Sequence, residues 1–224
     1  AKAVEELTRS AVENGVGCIY KKTDSALRGN IGAELAALLK ASGARNLPFL
    51  PAFPQIGRTT ERGVHYIKGV PVNESPFGID PFEPVRHARV TELIGEQTDV
   101  PAHSFPTLKE GEAVPEQEGI LVFDAGSLDD LASTGRALFQ NGKPRLMAGC
   151  AGFAALLPDL MKIIKKNFKK KGQNALPNGL ICLKGGNLQE ELKDYRNVAE
   201  ITPLSTFFEE EWFKQDKQLI YVPA

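Results

Sequence analysis

Residues 19–43, "IYKKTDSALRGNIGAELAALLKASG", pass from apolar to densely polar and back to apolar, and close on Gly43. The opening Ile and Tyr, preceded by "GVGC", predict a short strand. Ile31, Leu35, Leu38 and Leu39 recur at a spacing that places them on one face of a helix, with Gly43 as its C-terminal stop. Strand, polar joint and amphipathic helix form the unit from which parallel α/β sheets are built. The joint itself holds Lys21, Lys22, Asp24, Ser25, Arg28 and Asn30 beside two glycines.

The pattern repeats outward from this unit. Residues 1–15 have helical spacing of Ala3, Val4, Leu7, Ala11 and Val12, and "NLPFLPAFP" (46–54) predicts a second buried strand. "QIGRTTERG" (55–63) reads as a polar loop, and "VHYIKGVPVNES" (64–75) as a hairpin about Lys68 and Gly69. "PFGIDPFEPVRHA" (76–88) is too rich in proline for regular structure and predicts an ordered surface excursion. Beyond it come a short helix at 90–100, a strand in "GILVFDAGS" (119–127), a helix at 128–142, a strand in "PRLMAGC" (144–150) and a helix at 152–168. The expected fold is α/β, a mainly parallel sheet flanked by helices, with the start of a second α/β domain. The expected domains are 1–166, a linker at 167–178 in the basic, Pro/Gly-rich "FKKKGQNALPNG", and 179–224. The first helix has no preceding cap and "QLIYVPA" is a strand that stops, so the chain reads as a fragment.

Composition narrows the function. The 224 residues are 42% hydrophobic and 25% charged, enough for a sizeable core, and 27 Lys and Arg balance 28 Asp and Glu. A formal net charge of -1 gives no global attraction to nucleic acid or an anionic membrane, and no apolar run nears the roughly 20 residues of a bilayer span. The expected location is cytoplasmic. Cys18, Cys150 and Cys182 lie far apart without metal-ligand spacing and read as reduced, mostly buried thiols; no metal site is expected. His65, Asp80 and His87 read as surface or structural residues, because nothing in the sequence pairs them with a nucleophile.

Anion chemistry is therefore local. In parallel α/β sheets, ligands sit outside the carboxyl ends of strands, where loops enter helices. Lys21, Lys22 and Arg28 suit a carboxylate or phosphate, helped by free N–H groups near Gly29 to Gly32, while Asp24, Ser25 and Asn30 suit hydroxyls. The plainer alternative is that Asp24 or Ser25 only caps the helix and the cations are solvated. Arg58, Thr59 and Thr60 in the second polar loop add an anion and hydroxyl set at an adjacent strand end. The Gly185–Gly186 turn after "LICLK" could bring backbone N–H groups to a phosphate, although such turns are common.

"KKTDSALRGNIGAEL" (21–35), with "LPAFPQIGRTT" (50–60), "GVHYIKGVPVNESPF" (63–77) and "DPFEP" (80–84), resembles the N-terminal domain of the four-carbon acid sugar kinase family, closest to its D-threonate and D-erythronate kinase branch. "DAGSLDDLA" and "AGCAGFAALL" fit later elements of that domain, so the resemblance covers residues 1 to about 165. It implies an ATP- and Mg²⁺-dependent transferase of carbohydrate metabolism with two α/β domains, the first holding the sugar acid and the second ATP. Lys22, Thr23, Asp24 and Ser25 would then line the sugar site, with Arg28, Asn30 and Arg58 close by, and Asp24 would orient or deprotonate the accepting hydroxyl. Gly185 and Gly186 would open the nucleotide domain. The implied partners are a sugar acid (D-threonate, D-erythronate or a 3-oxo-tetronate) and ATP, and a homodimer is allowed. Ala26 departs from the family's usual Thr, Gly186 from its Ser, and the family's acidic Asp-Asp-x-Thr-Gly turn does not occur. An inactive chain, or a non-catalytic sugar-acid-binding module, is the alternative.

Overall fold

Side chains at alternating positions of a short apolar strand can be buried on both faces only if helices cover the sheet on both sides, and this chain builds that arrangement. The structure is a computed structural model, and it describes residues 1–140, 146–157, 179–185, 197–206 and 217–223. It divides into two units, Ala1–Leu160 and Met161–Ala224.

In the first unit, β1 (Ile19–Lys22), β2 (Asn46–Leu50), β6 (Ala102–Phe105), β7 (Gly119–Phe123) and β8 (Leu146–Gly149) form a five-stranded parallel sheet in the order β1-β8-β2-β7-β6. Helix α1 (Lys2–Glu13) lies against α2 (Ile31–Ser42), which also meets α3 (Val90–Gly95). Helices α4 (Leu128–Gln140) and α5 (Ala151–Ala154) pack on each other. The chain moves from β1 past β8 to β2 but from β7 back past β2 to β8, so right-handed crossovers put α2 and α4 on opposite faces. The α/β fold expected from the sequence is thus observed.

The predicted helical face of α2 is the buried one: Ile31, Leu35, Leu38 and Leu39 join Leu47, Phe49, Ile120 and Val122 in the main core. Each such side chain contributes roughly 1.5–3 kcal/mol by leaving water. Gly43 ends α2 at φ 66° in the left-handed region, as a C-terminal glycine should. Cys150 is buried, but Cys18 is exposed because it precedes β1 in an irregular turn.

A small antiparallel sheet, β3 (Arg58–Glu61), β4 (Val64–Ile67) and β5 (Val70–Pro71), leaves the carboxyl end of β2. The hairpin at Lys68–Gly69 occurs where predicted, with φ of 50° and 83°. The expected polar loop at 55–63 is instead half strand. Thr59 and Thr60 favour extended backbone, and Arg62–Gly63, at φ 52° and 75°, makes a second two-residue turn.

The second unit contains β9 (Gly179–Gly185), β10 (Glu200–Pro203) and β11 (Lys217–Pro223) in the order β10-β11-β9, with β11 antiparallel to both neighbours. The strands expected at 180–184 and 218–224 are present. The linker expected at 167–178 and the helix expected after Gly186 lie outside the described residues.

Candidate functional site at the carboxyl ends of β1, β8 and β2

Three neighbouring strand ends converge here. Thr23, directly after β1, donates its backbone N–H to Gly149 O at the end of β8 (2.7 Å). Cys150 Sγ donates to Ala52 O, just past β2, at 3.0 Å. Any side chain at Gly149 would put its Cβ 2.6 Å from Leu50 O and 2.7 Å from the Tyr20 hydroxyl, so only glycine allows β8 this close to β2. The Tyr20 hydroxyl in turn donates to Cys150 O (2.8 Å). Burial pushes the Cys150 thiol pKa up, against smaller opposing effects from N–H groups of α5, Lys22 and Arg58. A protonated thiol already bonded to a carbonyl is a poor nucleophile.

The polar joint is largely satisfied within itself. Asp24 Oδ2 accepts from the backbone N–H of Ala26 and Arg28 (both 3.2 Å) and from Arg28 Nε (3.0 Å), and Oδ1 accepts from an Arg28 terminal nitrogen at 3.1 Å. Desolvation raises the Asp24 pKa, but the Arg28 and Ala26 hydrogen bonds and the Arg28 charge outweigh it and hold the carboxylate below its ordinary range. Asp24 is therefore ionised and engaged, and a role as base requires the Arg28 pair to open. Leu27, buried at φ 64°, is fixed in the left-handed region by this turn.

Two expected anion donors are used elsewhere. Lys21 pairs with Glu34 of α2 at 2.7 Å and donates to Lys22 O at 2.9 Å, so its ammonium ties α2 to the end of β1. The N–H groups of Gly32 and Ala33, expected to be free, donate to Gln97 Oε1 (2.8 and 3.4 Å), whose amide nitrogen donates to Gly29 O (3.0 Å). Gln97 lies some 65 residues away in sequence and no local pattern reveals it as the cap. Asn30 is exposed at the start of α2 and its side chain makes no capping bond.

What remains is a smaller set. Lys22 is exposed and has no ion pair among the described residues. Arg58 donates to the Ser25 hydroxyl and likewise has no carboxylate partner among the described residues. Its guanidinium lies 5.2 Å from the Phe77 ring centre, and that of Arg28 5.3 Å from the same ring. Thr23 is 3% exposed and its hydroxyl has no hydrogen-bond partner among the described residues. A buried unpaired hydroxyl is costly and calls for a partner from outside the chain. The site thus offers one buried hydroxyl, the Ser25 hydroxyl, and two cations, a set that fits a small hydroxylated carboxylate.

His65, read from sequence as structural, is fully buried within this region, with Nδ1 3.0 Å from Thr60 Oγ1 and Nε2 3.0 Å from Ser25 O. Asp124, after β7, was not singled out in the sequence; it accepts from the N–H groups of Arg62 and Gly63 (2.8 and 2.9 Å) and pins the hairpin to the sheet. Asp80 makes a local turn with the N–H groups of Phe82 and Glu83, and His87 faces Glu92 and Glu96. Gly185 ends β9 opposite Lys217 in the antiparallel ladder, and Gly186 lies outside the described residues. Among the described residues no group of three or more His, Cys, Asp or Glu is arranged to hold a metal ion, and no helix is long and apolar enough to cross a membrane.

Comparison with known proteins matches this geometry to a family. The family described as "Sugar-binding N-terminal domain" matches residues 1–157. A D-threonate kinase of Salmonella typhimurium is 35% identical over 149 residues, 62% of this chain and 35% of that protein. A crystal structure of a domain of unknown function (DUF1537) from Bordetella bronchiseptica, a domain-swapped dimer with bound citrate, superposes with a TM-score of 0.61 at 31% identity, covering 70% of this chain and 40% of that one. The chain spans about a third of the length of the kinase it matches. A separate similarity joins 67 residues, 30% of the chain, to 29% of the ribosomal RNA small subunit methyltransferase G of Parabacteroides distasonis at 54% identity. Through residues 1–157 the chain belongs to the sugar-binding N-terminal domain family, which supports the resemblance to the four-carbon acid sugar kinase family.

Proposed function

We propose that the first unit binds a four-carbon sugar acid such as D-threonate or D-erythronate at the carboxyl ends of β1, β8 and β2. The carrying observation is the buried Thr23 hydroxyl without a partner, set beside two cations, Lys22 and Arg58, that lack carboxylates among the described residues. Arg58 and Lys22 take the carboxylate, Thr23 and Ser25 meet hydroxyls, and Asp24 with Arg28 holds the loop in shape. Asn30, exposed at the rim, contacts only the outer end of a bound acid. In a whole kinase of this family, ATP carrying Mg²⁺ would supply the phosphoryl group, and the residues here would do no more than hold and orient the acceptor hydroxyl. Titration calorimetry of the chain with D-threonate, D-erythronate and uncharged threitol tests this reading. Binding of either acid with threitol much weaker is expected; no binding of any four-carbon acid overturns it.

A second observation favours the non-catalytic alternative for the chain as given. The residues after the family match, 158–224, number 67 (224 less 157), the length of the methyltransferase-like segment. One stretch rarely carries both a half-identical methyltransferase sequence and the sugar-domain pattern, and we infer that the methyltransferase similarity lies in the residues after 157. On that reading the strand that ends at Gly185 is of methyltransferase-like descent, where the family resemblance implies the opening of a nucleotide domain. On the same reading the first unit binds the sugar acid without help from residues 158–224. Calorimetry with ATP and Mg²⁺ is expected to show no binding while the sugar acid still binds. Saturable ATP binding competed by ADP would overturn this.

A further inference from the structure

The hairpin and the sugar loop are joined by a single buried side chain whose hydrogen-bond direction can be deduced. His65 in β4 stands directly across from Thr60 in β3, and its ring is fully buried. Nε2 lies 3.0 Å from Ser25 O, a carbonyl that can only accept, so Nε2 carries the hydrogen. A neutral imidazole has one N–H, hence Nδ1 accepts, and the Thr60 hydroxyl 3.0 Å away donates to it. The backbone of β4 at His65 is itself anchored, donating to Ala88 O at 2.8 Å. The charged groups that act on the ring are Arg58 from β3, which disfavours the imidazolium, and Asp24 from the loop, which favours it.

Ser25 is therefore gripped twice by the same hairpin: His65 holds its carbonyl and Arg58 its hydroxyl. Arg58 and Thr60 lie two apart on β3 and so share a face of the hairpin. We propose that His65 is a positioning residue of the sugar-acid site, which as a neutral Nε2–H imidazole fixes the spacing between Ser25 and Arg58. This rests on the sugar-acid reading above. The imidazole touches no ligand; it acts by keeping the hydroxyl and the guanidinium in one rigid frame, so that the carboxylate and the neighbouring hydroxyl of a bound acid are met together.

The test uses the full chain. Long-range ¹H–¹⁵N correlation is expected to show His65 as the Nε2–H tautomer, and neutral, from pH 8 to 5. In calorimetry with D-threonate, His65→Gln, whose amide reaches Ser25 O as Nε2 does, is expected to bind within about fivefold of wild type. His65→Asn, which stops at the Nδ1 position, is expected to bind roughly 10–100-fold more weakly, the factor for one lost buried hydrogen bond. Equal affinity of the two variants, an Nδ1–H tautomer or an imidazolium in that pH range overturns the proposal. Should both variants fail to fold, Thr60→Val takes their place: it removes the donor to Nδ1 while Ser25 O still holds the hydrogen on Nε2, so the Nε2–H tautomer is expected to persist and the less firmly held ring to weaken binding several-fold, whereas a switch to the Nδ1–H tautomer or an unchanged affinity overturns the proposal. If wild type does not bind D-threonate, the sugar-acid reading fails, while the Nε2–H tautomer of wild type still decides the link to Ser25.

Discussion

The loop Thr23–Asn30 and the hairpin sheet Arg58–Pro71 are both polar segments beside the same strand ends, yet they use their charges in opposite ways. In the loop, Arg28 is turned onto Asp24, and four hydrogen bonds to one carboxylate shape the backbone. In the hairpin, strand pairing satisfies the backbone, so Arg58 is left to reach across to Ser25 with no carboxylate of its own among the described residues. A dense polar motif can therefore be mostly self-supporting scaffold, while one arginine on a neighbouring ladder remains available to a ligand.

The link between the two regions should break in acid. Burial lowers the His65 pKa to about 4 from 6.5, so the unfolded chain takes up the proton first as pH falls. Stability is then full above pH 6.5 and lost between 6.5 and 4, on the order of 3 kcal/mol in all at about 1.4 kcal/mol per unit. The depressed Asp24 pKa adds a loss below its ordinary range, and the raised Asp124 pKa opposes these, since protonation favours the folded chain there. Denaturant melts at pH 7 and pH 4.5 measure the His65 and Asp124 contributions, and His65→Gln should flatten this part of the profile.

Exchanging the two arginines in turn sharpens the contrast. Arg58→Met should weaken sugar-acid binding about 100-fold, close to 2.7 kcal/mol, with little change in Tm. Arg28→Met should instead lower stability by about 1 kcal/mol, a figure reduced by the partial exposure of its pair with Asp24, and cost binding only a few-fold. Equal binding losses would mean that the loop and hairpin arginines are equivalent after all.

The base of the loop can be broken without touching a charge. At Gly32 a Cβ would lie 2.6 Å from Ile94 O, a backbone atom that cannot swing aside. Gly32→Ala should therefore displace the Gln97 cap and cost about 2 kcal/mol of stability, read by thermal melting, with the hairpin's own hydrogen exchange unaffected. The smallest effect is expected at Thr23. Thr23→Val removes a hydroxyl that has no partner among the described residues, so stability should hold or rise, while sugar-acid affinity falls about tenfold, or 1.4 kcal/mol.

Much of the fold was legible from residue pattern because it depends on short-range periodicity. The face of α2 set by Ile31, Leu35, Leu38 and Leu39, the stop at Gly43 and the turn at Lys68–Gly69 are all local consequences of side-chain spacing and backbone freedom. The Arg62–Gly63 turn and strand β3 were missed because their polar composition resembles a loop, and only pairing with β4 makes them extended. In the candidate site, the motif pointed to the carboxyl end of β1 and named Lys22, Thr23, Asp24, Ser25, Arg28 and Asn30, with Arg58 from the neighbouring loop. It could not show that Lys21 turns to Glu34 or that Gln97 fills the start of α2.

By itself, then, the sequence determined the alternation of strands and helices, the polar joint after β1 and the family resemblance, since each is written in contiguous residues. The tertiary structure alone decided which cations stay unpaired among the described residues, that Thr23 is buried without a partner among them and that His65 binds the loop to the hairpin. The physical reason is that a side chain's charge and hydrogen-bonding capacity are fixed by its chemistry, but whether they are spent depends on what the fold places within about 3 Å.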